Sequence, residues 1–553
     1  MILITSASYL ASEFQAEFGK IVPSFLAFGG KRLYEYQAQL FSDFARQNSD
    51  KQKIVLSLPQ SFAISDFEKE KIKSLGISLL FVPDNLSLGE SINYCLNMNL
   101  PLNEPLQILH GDTYFMDFAP FVSDESDTLG ISKSLYNYEW ANLDTINYSD
   151  FSGDFQSDFC KDSRDFSKDS REFNNCDSLS PINEQYAKDF VLNGYFRISR
   201  PYHFIKALLR ANYDFILALK IYSNDFCFRL LKNDSWLDFG LISSYFHSKS
   251  AIFMQRHFNK ISIDLDGTFI HKTSNNPRKI QAEIAWFEAL PKELCLFAPK
   301  VLASGKSYKC EYLYLNTLAE IFVFGRLGGY AFKIIFDKAF EFLSKLHSIK
   351  SPNSAPNFCY RQKSVERLDA FAKQRDLDLN TPFIFNGKNA PSLNALLDKL
   401  DSFIGADFEP CFIHGDFCFS NIAFDFRALR IKTFDPRGLD FGENISVYGD
   451  KRYDYAKLMH SVLGLYDFIV FGFYRCEFVD YEFRFDIEIS ENTRAIQRIF
   501  LDLFDFDKRE ILAIVCHLFL SMLPLHSDDI SRQNALLANA YRIYFDLLDG
   551  GDK

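Results

Sequence analysis

Near its middle-to-late portion the chain reads His414-Gly415-Asp416-Phe417-Cys418-Phe419-Ser420-Asn421, and a short apolar strand later it reads Asp435-Pro436-Arg437-Gly438. Phosphoryl transfer from ATP needs a carboxylate that orients the acceptor hydroxyl, an amide oxygen and a second carboxylate on Mg²⁺, and a cation on the phosphates. Asp416 fits the first part. Asn421, five residues on, can turn back to the same cleft and hold metal, and Asp435 closes the strand Ile431 to Phe434 where it can share that metal. His414 could exchange a proton, but holding the loop by hydrogen bonds is the preferred reading.

A second pair of carboxylates lies upstream. Leu109-His110-Gly111-Asp112-Thr113 sets an aspartate at the end of an apolar strand, and Trp236-Leu237-Asp238-Phe239-Gly240 supplies another. Brought together from separate strand ends, Asp112 and Asp238 can hold Mg²⁺ against a nucleoside triphosphate and stabilise charge as pyrophosphate leaves.

The elements that must position these groups divide the chain. Its 553 residues exceed the ~250 to 300 at which one hydrophobic core stops growing. Residues 1 to about 120 alternate short apolar strands (Ile2 to Ile4, Lys53 to Ser57, Ser78 to Val82, Leu106 to Leu109) with amphipathic helices, which predicts a parallel sheet covered on both faces. Ligands of such sheets sit beyond the carboxyl ends of the strands. Val122 to Glu184 is rich in Ser, Asp and Lys with a crude Asp-Phe repeat, and reads as an exposed polar insertion. Val191 to Ile198 reads as a strand; Lys260 to Lys272 alternates around Asp266-Gly267, which favours a hairpin, and Arg278 to Leu290 reads as a helix. That change of pattern puts the boundary near residue 250, giving domains 1–250 and 251–553. From Lys338 the pattern is mainly helical, interrupted by strands at Cys411 to His414 and Ile431 to Phe434.

Net charge of -12 argues against nucleic acid as the main partner. Eleven cysteines without a paired framework read as free thiols in a reducing compartment. The opening residues read as a strand rather than a secretory signal, and Ile511 to Pro524 is shorter than a bilayer span, so a cytoplasmic protein without stable membrane insertion is expected.

On His414 to Asn421 and Asp435 to Gly438, residues from about 255 onward resemble the aminoglycoside-phosphotransferase and choline/ethanolamine-kinase family. The resemblance implies an α+β, protein-kinase-like two-lobed domain that phosphorylates hydroxyls of small molecules with ATP. It also implies a phosphate-binding lysine and a helical glutamate, for which Lys272 and Glu283 are first choice and Lys279 competes. Glu311 to Leu315 would lead to the adenine-binding hinge, and Asp454 would hold the catalytic loop from a helix start that Asp450 caps.

Residues 1–250 resemble the sugar-phosphate nucleotidyltransferases, which implies an α/β Rossmann-like domain. By that resemblance Asp112 and Asp238 are the metal pair, Gly194 and Tyr195 meet the sugar phosphate, and Leu86 to Ser91 with Gly89 faces the base. The Gly-rich, Arg-containing loop of that family is missing: Thr5-Ser6-Ala7-Ser8-Tyr9 and Pro23-Ser24 stand there, so Lys20 is first choice for the lost cation, ahead of Lys31 or Arg32. CTP or UTP is the expected second nucleoside triphosphate. Together the halves imply a bifunctional enzyme that phosphorylates a sugar or small alcohol and couples the phosphate to a nucleotide, for bacterial surface polysaccharide synthesis. One alternative is a kinase fused to a silent nucleotide-sugar binding domain. The other rests on Asp264-Leu265-Asp266-Gly267-Thr268, a formal match to the haloacid-dehalogenase-like phosphatase signature, which needs a parallel-sheet strand ending at Asp264.

Overall fold

A computed structural model describes residues 1–48, 53–98, 102–122, 126–134, 148–152, 190–251, 259–263, 269–305, 307–352 and 356–548. The chain separates into two compact units, Met1–Gln15 with Lys20–Lys249, and Ala16–Gly19 with Ser250–Lys553.

The first unit is an α/β domain around an eight-stranded sheet. Its strands run in the order Ile77–Val82, Ile54–Pro59, Ile2–Thr5, Leu106–His110, Phe190–Ile198, Thr128–Lys133, Phe228–Lys232, Tyr148–Ser152. Ile2–Thr5, Ile54–Pro59 and Leu106–His110 are buried at every position, the continuous apolar run that a parallel strand covered on both faces requires. The first four strands are parallel, but Phe190–Ile198 runs antiparallel to both neighbours, so the sheet is mixed rather than parallel throughout. Apolar alternation reports burial and carries no information on strand direction. Helices Asp66–Ser74 and Leu88–Asn97 start at Ser65 and Ser87, whose hydroxyls accept the N–H three residues on. Leu3, Val55, Ile108, Leu129 and Phe196 form the core with Phe204, Leu208 and Leu219 from the helices Pro201–Arg210 and Phe215–Ser223.

From Ile2–Thr5 the chain moves outward on one side of the sheet and returns on the other at Leu106–His110. A crevice opens at such a reversal, beyond the carboxyl ends of the two strands. The expected insertion at 122–184 needs correction where it is described. Thr128–Lys133 is an interior strand, buried from Thr128 to Ser132, and Tyr148–Ser152 is an edge strand. Residues 135–147 and 153–189 lie outside the described residues.

The second unit opens on a four-stranded antiparallel sheet, ordered Asn259–Ile263, Phe269–Ser274, Ser307–Glu311, Val301–Ser304, with helix Pro277–Ala289 packed on it through Ile280, Ile284 and Tyr308. A larger helical lobe follows, built from Leu318–Phe324, Gly329–His347, Tyr360–Arg375, Leu393–Asp401, Lys451–Val462, Glu491–Leu503, Lys508–Met522 and Ile530–Leu548. This is the two-lobed α+β arrangement. The segment Asp264 to Thr268 lies outside the described residues, but the strands flanking it pair antiparallel from Asn259↔Ser274 to Ile263↔Ile270. A parallel strand ending at Asp264, which the phosphatase reading needs, is therefore not what this sheet supplies.

Phe383–Phe385, Lys388–Ala390, Tyr474–Val479 and Glu482–Ile487 form a four-stranded sheet that the helical reading after Lys338 omits. By length and composition Lys508–His526 could cross a membrane, yet 72% of its apolar window is buried inside the domain. Cys227 is disulfide-bonded, against the expectation of free thiols; the other described cysteines are free.

Candidate active sites

In the second unit the strand Cys411–Phe412 pairs with Tyr448–Gly449, and the chain then enters the loop that carries His414 and Asp416. Gly415 adopts φ 77°, where a side chain is strained. The loop is held from below by Asp454, fully buried in helix Lys451–Val462, whose carboxylate accepts the backbone N–H of His414 at 2.9 Å and of Gly415 at 2.7 Å. His347 Nε2 lies 3.0 Å from the same carboxylate. The His414 ring accepts the Asp416 N–H at Nδ1 (3.2 Å), so Nε2 carries the proton and meets Thr433 Oγ1 at 2.7 Å. Both ring nitrogens are thus committed within the loop, and burial lowers the ring's pKa.

Asn421 ends a single 3₁₀ turn, Phe419–Asn421, and directly precedes the hairpin Ile422–Asp425 with Arg430–Thr433. Register Ile422↔Thr433 and the Phe434 N–H donated to the Asn421 carbonyl at 3.1 Å set Asp435 beside Asn421. The Asn421 amide NH₂ donates to the Asp416 carbonyl (2.9 Å) and to Asp416 Oδ2 (3.0 Å), which turns its Oδ1 away from Asp416. Asp435 stands at φ 55°. Lys272, on the second strand of the small sheet, bridges Glu283 at 2.8 Å and Asp435 at 2.7 Å, and Tyr308 donates its hydroxyl to Glu283 at 2.7 Å. Burial alone would lower the Lys272 pKa; the Asp435 and Glu283 carboxylates override it and hold the ammonium charged. Lys279, its sequence competitor, is exposed. The Trp286 indole donates to the Ile413 carbonyl at 2.8 Å, which fixes the Glu283 helix to the loop.

Lys457, one helical turn beyond Asp454, forms an ion pair with Asp416 Oδ1 at 2.8 Å. Sequence reasoning assigned it no role, although its i,i+3 spacing from Asp454 places both on one helix face. Burial would raise the Asp416 pKa, but Lys457 outweighs it and, with His414 and Arg437, holds the carboxyl well below the usual range. Asp416 is therefore an anion that orients a hydroxyl better than it removes a proton.

In the first unit Gly111 donates its N–H to the Thr5 carbonyl at 2.8 Å, and a Cβ there would lie 2.6 Å from that oxygen. Glycine lets the two strand ends close, and Asp112 emerges at the sheet's reversal point. Trp236–Asp238 pairs antiparallel with Thr113–Phe115 in register Asp238↔Thr113, and Phe239 donates to the Asp112 carbonyl at 2.9 Å. A Cβ on Gly240 would stand 2.9 Å from Asp112 Oδ2 and 3.3 Å from Asp238 Oδ1, so the two carboxylates converge on one point. Burial pushes Asp112 up to about 6. Such a carboxyl gains from a cation.

The other expected residues of this unit divide. Gly194, at φ 86°, packs on Thr113 and His110 beside Asp112. Tyr195 does not: it is a core residue whose ring packs on Phe121 and whose hydroxyl donates to Gln107 at 3.1 Å, because the strand's alternation turns it inward. Gly89 is buried where a Cβ would meet the Tyr213 carbonyl at 2.0 Å, so close helix packing explains that glycine. Lys20 is exposed over the Tyr9 ring at 4.1 Å. Arg32 is buried, with its guanidinium on Glu68 (2.8 Å) and the Phe25 carbonyl. Ser24, in place of the missing Pro-Lys pair, is tied to Ser6 and Gly111.

Residues 261–464, all within the second unit, match the model of the Phosphotransferase enzyme family. No protein of curated function matches the chain. Solved structures similar to one half or the other include an aminoglycoside phosphotransferase from Streptomyces rimosus (12% identity, 48% of this chain and 91% of that one, TM-score 0.31). A nucleoside-diphosphate-sugar pyrophosphorylase from Vibrio cholerae RC9 aligns at 14% identity over 45% of this chain and 99% of its own, TM-score 0.30. An inositol-1-phosphate CTP transferase from T. maritima aligns at 14% identity over 45% and 94%, TM-score 0.29. The family match thus falls within the second unit, and each of these structures is similar to about half of the chain.

Proposed function

We propose that the carboxy-terminal unit transfers the γ-phosphoryl group of ATP to a hydroxyl of a sugar or small alcohol, and that the amino-terminal unit couples the phosphate to a nucleotide with release of pyrophosphate. The observation that carries the first step is the convergence of Asp416, Asn421, Asp435 and the Lys272–Glu283 pair. In the reaction Asp416 holds the acceptor hydroxyl in line, its charge maintained by Lys457. Lys272 exchanges its contact with Asp435 for one with the phosphates while its ammonium stays paired with Glu283. Asn421 Oδ1 and Asp435 are an oxygen donor set that fits Mg²⁺, which takes few protein ligands and completes its shell with phosphate oxygens and water. When bound, that ion neutralises charge on the β- and γ-phosphates. Asp112 and Asp238 are the corresponding pair for the nucleotidyl step, with CTP or UTP as donor and pyrophosphate as leaving group.

The expected product is an activated donor for bacterial surface polysaccharide, made in the cytoplasm. A second reading, a kinase joined to a silent nucleotide-sugar binding domain, is favoured by the loss of Arg32 to Glu68 and of Lys20 to Tyr9 as phosphate ligands. Pyrophosphate release is measured with CTP, UTP, GTP and TTP against sugar and alcohol phosphates. Release abolished by Asp112→Ala supports the bifunctional reading; no release with any pair, or release insensitive to that change, leaves the silent domain.

A further inference from the structure

Beside Asp416 lies a group of cations that the phosphoryl-transfer chemistry above does not use. The rings of Phe441 and Tyr453 meet edge to face, centroids 5.3 Å apart. Lys363 Nζ stands 4.0 Å from the Phe441 centroid and 5.4 Å from that of Tyr453, and its one side-chain hydrogen bond, to the Tyr453 hydroxyl, is a long 3.4 Å. The Arg437 guanidinium lies 5.3 Å from the same Phe441 ring, and Lys457 Nζ lies 5.9 Å from the same Tyr453 ring. Three cations therefore share two touching rings. Only Lys457 has a carboxylate, Asp416; Lys363 and Arg437 form no ion pair among the described residues. Arg437 packs over Gly415, where a Cβ would come within 2.7 Å of its own Cβ, so the group borders the catalytic loop.

Lys363, Phe441 and Tyr453 also line a narrow cleft with Tyr360, His517 and Ser521, with room for about one water; Arg437 and Asp416 stand outside its lining. Burial first, then Arg437, Lys457 and Arg367, push the Lys363 amine well below its ordinary range against the pull of Asp416. Like charges gathered around one carboxylate repel. The ring faces return only part of that cost. An anion supplied by a ligand would balance it.

We propose that Lys363 in this cleft and Arg437 over the same Phe441 ring take an anionic group of the acceptor, a carboxylate or a phosphate, so that the phosphorylated substrate is an acidic sugar or alcohol rather than a neutral or cationic one. The inference rests on the kinase reading for the identity of the ligand, and on the Lys363 cluster for its charge. Lys363 and Arg437 grip the anion while Asp416 receives the hydroxyl, which makes the pair a specificity site and not part of the phosphoryl transfer.

The full chain, saturated with Mg²⁺ and a non-hydrolysable ATP analogue, is titrated calorimetrically with inorganic phosphate, with glucuronate and with glucose as the neutral control. The expected result is binding of at least one anion that weakens about tenfold or more in Lys363→Met and stays within about threefold of wild type in Lys363→Arg. Phosphate alone, or glucuronate alone, identifies which anionic group the pair takes. Absence of anion binding, binding unchanged by Lys363→Met, glucose binding as tightly as the anions, or equal loss in both variants overturns the proposal. Lys363-dependent anion binding in a chain that does not bind the ATP analogue would support the anion site and sink the kinase reading instead.

Discussion

Asp416 keeps a charge that its surroundings would otherwise remove, and Lys457 is the reason. Wild-type phosphoryl transfer is accordingly expected to hold its rate down to the acid limit of the fold. In Lys457→Met the carboxyl rises, and the acidic limb of the pH–rate profile moves up toward or beyond the ordinary carboxylate range; an unmoved limb would remove Lys457 from this role. Asp112 has the opposite setting. Its folded-state pKa near 6 exceeds the ordinary 3.8, so the native state binds an extra proton between those values. Stability from this group falls as pH rises from about 4 to 6, while metal binding and nucleotidyl transfer improve over the same interval. Titrating pyrophosphate release with pH should show that rise, and Mg²⁺ should shift its midpoint down. The convergence of Asp416, Asn421 and Asp435 was legible because it depends on local spacing; Asp112 and Asp238 lie far apart in sequence and were legible only as ends of apolar runs. The Lys363 and Arg437 cluster was not, since a charge cluster built from two helices and a loop has no sequence period.

Among the elements, helix Lys451–Val462 is the platform of the loop that carries His414 and Asp416. Asp454→Ala leaves two loop N–H groups and His347 without their acceptor in a dry interior, and should cost about 3 kcal/mol. Urea denaturation checks this, and a cost below about 1 kcal/mol would contradict it. Gly438 is a second joint: at φ 58° a Cβ would stand 2.1 Å from the Ala282 carbonyl. Gly438→Ala should therefore push the metal segment off the Glu283 helix and raise the KM for ATP severalfold with less effect on the acceptor KM; equal effects would argue against it. The hairpin that joins Asn259–Ile263 to Phe269–Ser274 and the opening α/β alternation could be read from period and turn residues. The sheet containing Glu482–Ile487 could not: its inward Phe483, Phe485 and Ile487 alternate clearly, but its partner Phe383–Phe385 lies a hundred residues upstream in a three-residue strand. Thr128–Lys133 was hidden in the same way by polar neighbours.

For the whole molecule, the proposed function puts two chemistries on one chain, the phosphate made by one being the group the other would couple, and both begin from the phosphoryl step. The measurement that bears on it most directly is acceptor-dependent ADP formation by the full chain with Mg²⁺ and ATP, across a panel of neutral, amino and acidic sugars and alcohols, for wild type and Asp416→Asn. Stimulation by an acidic acceptor is expected, with a loss of about 10²-fold or more in Asp416→Asn. Acceptor-dependent turnover that is the same in the variant as in the wild type would contradict it.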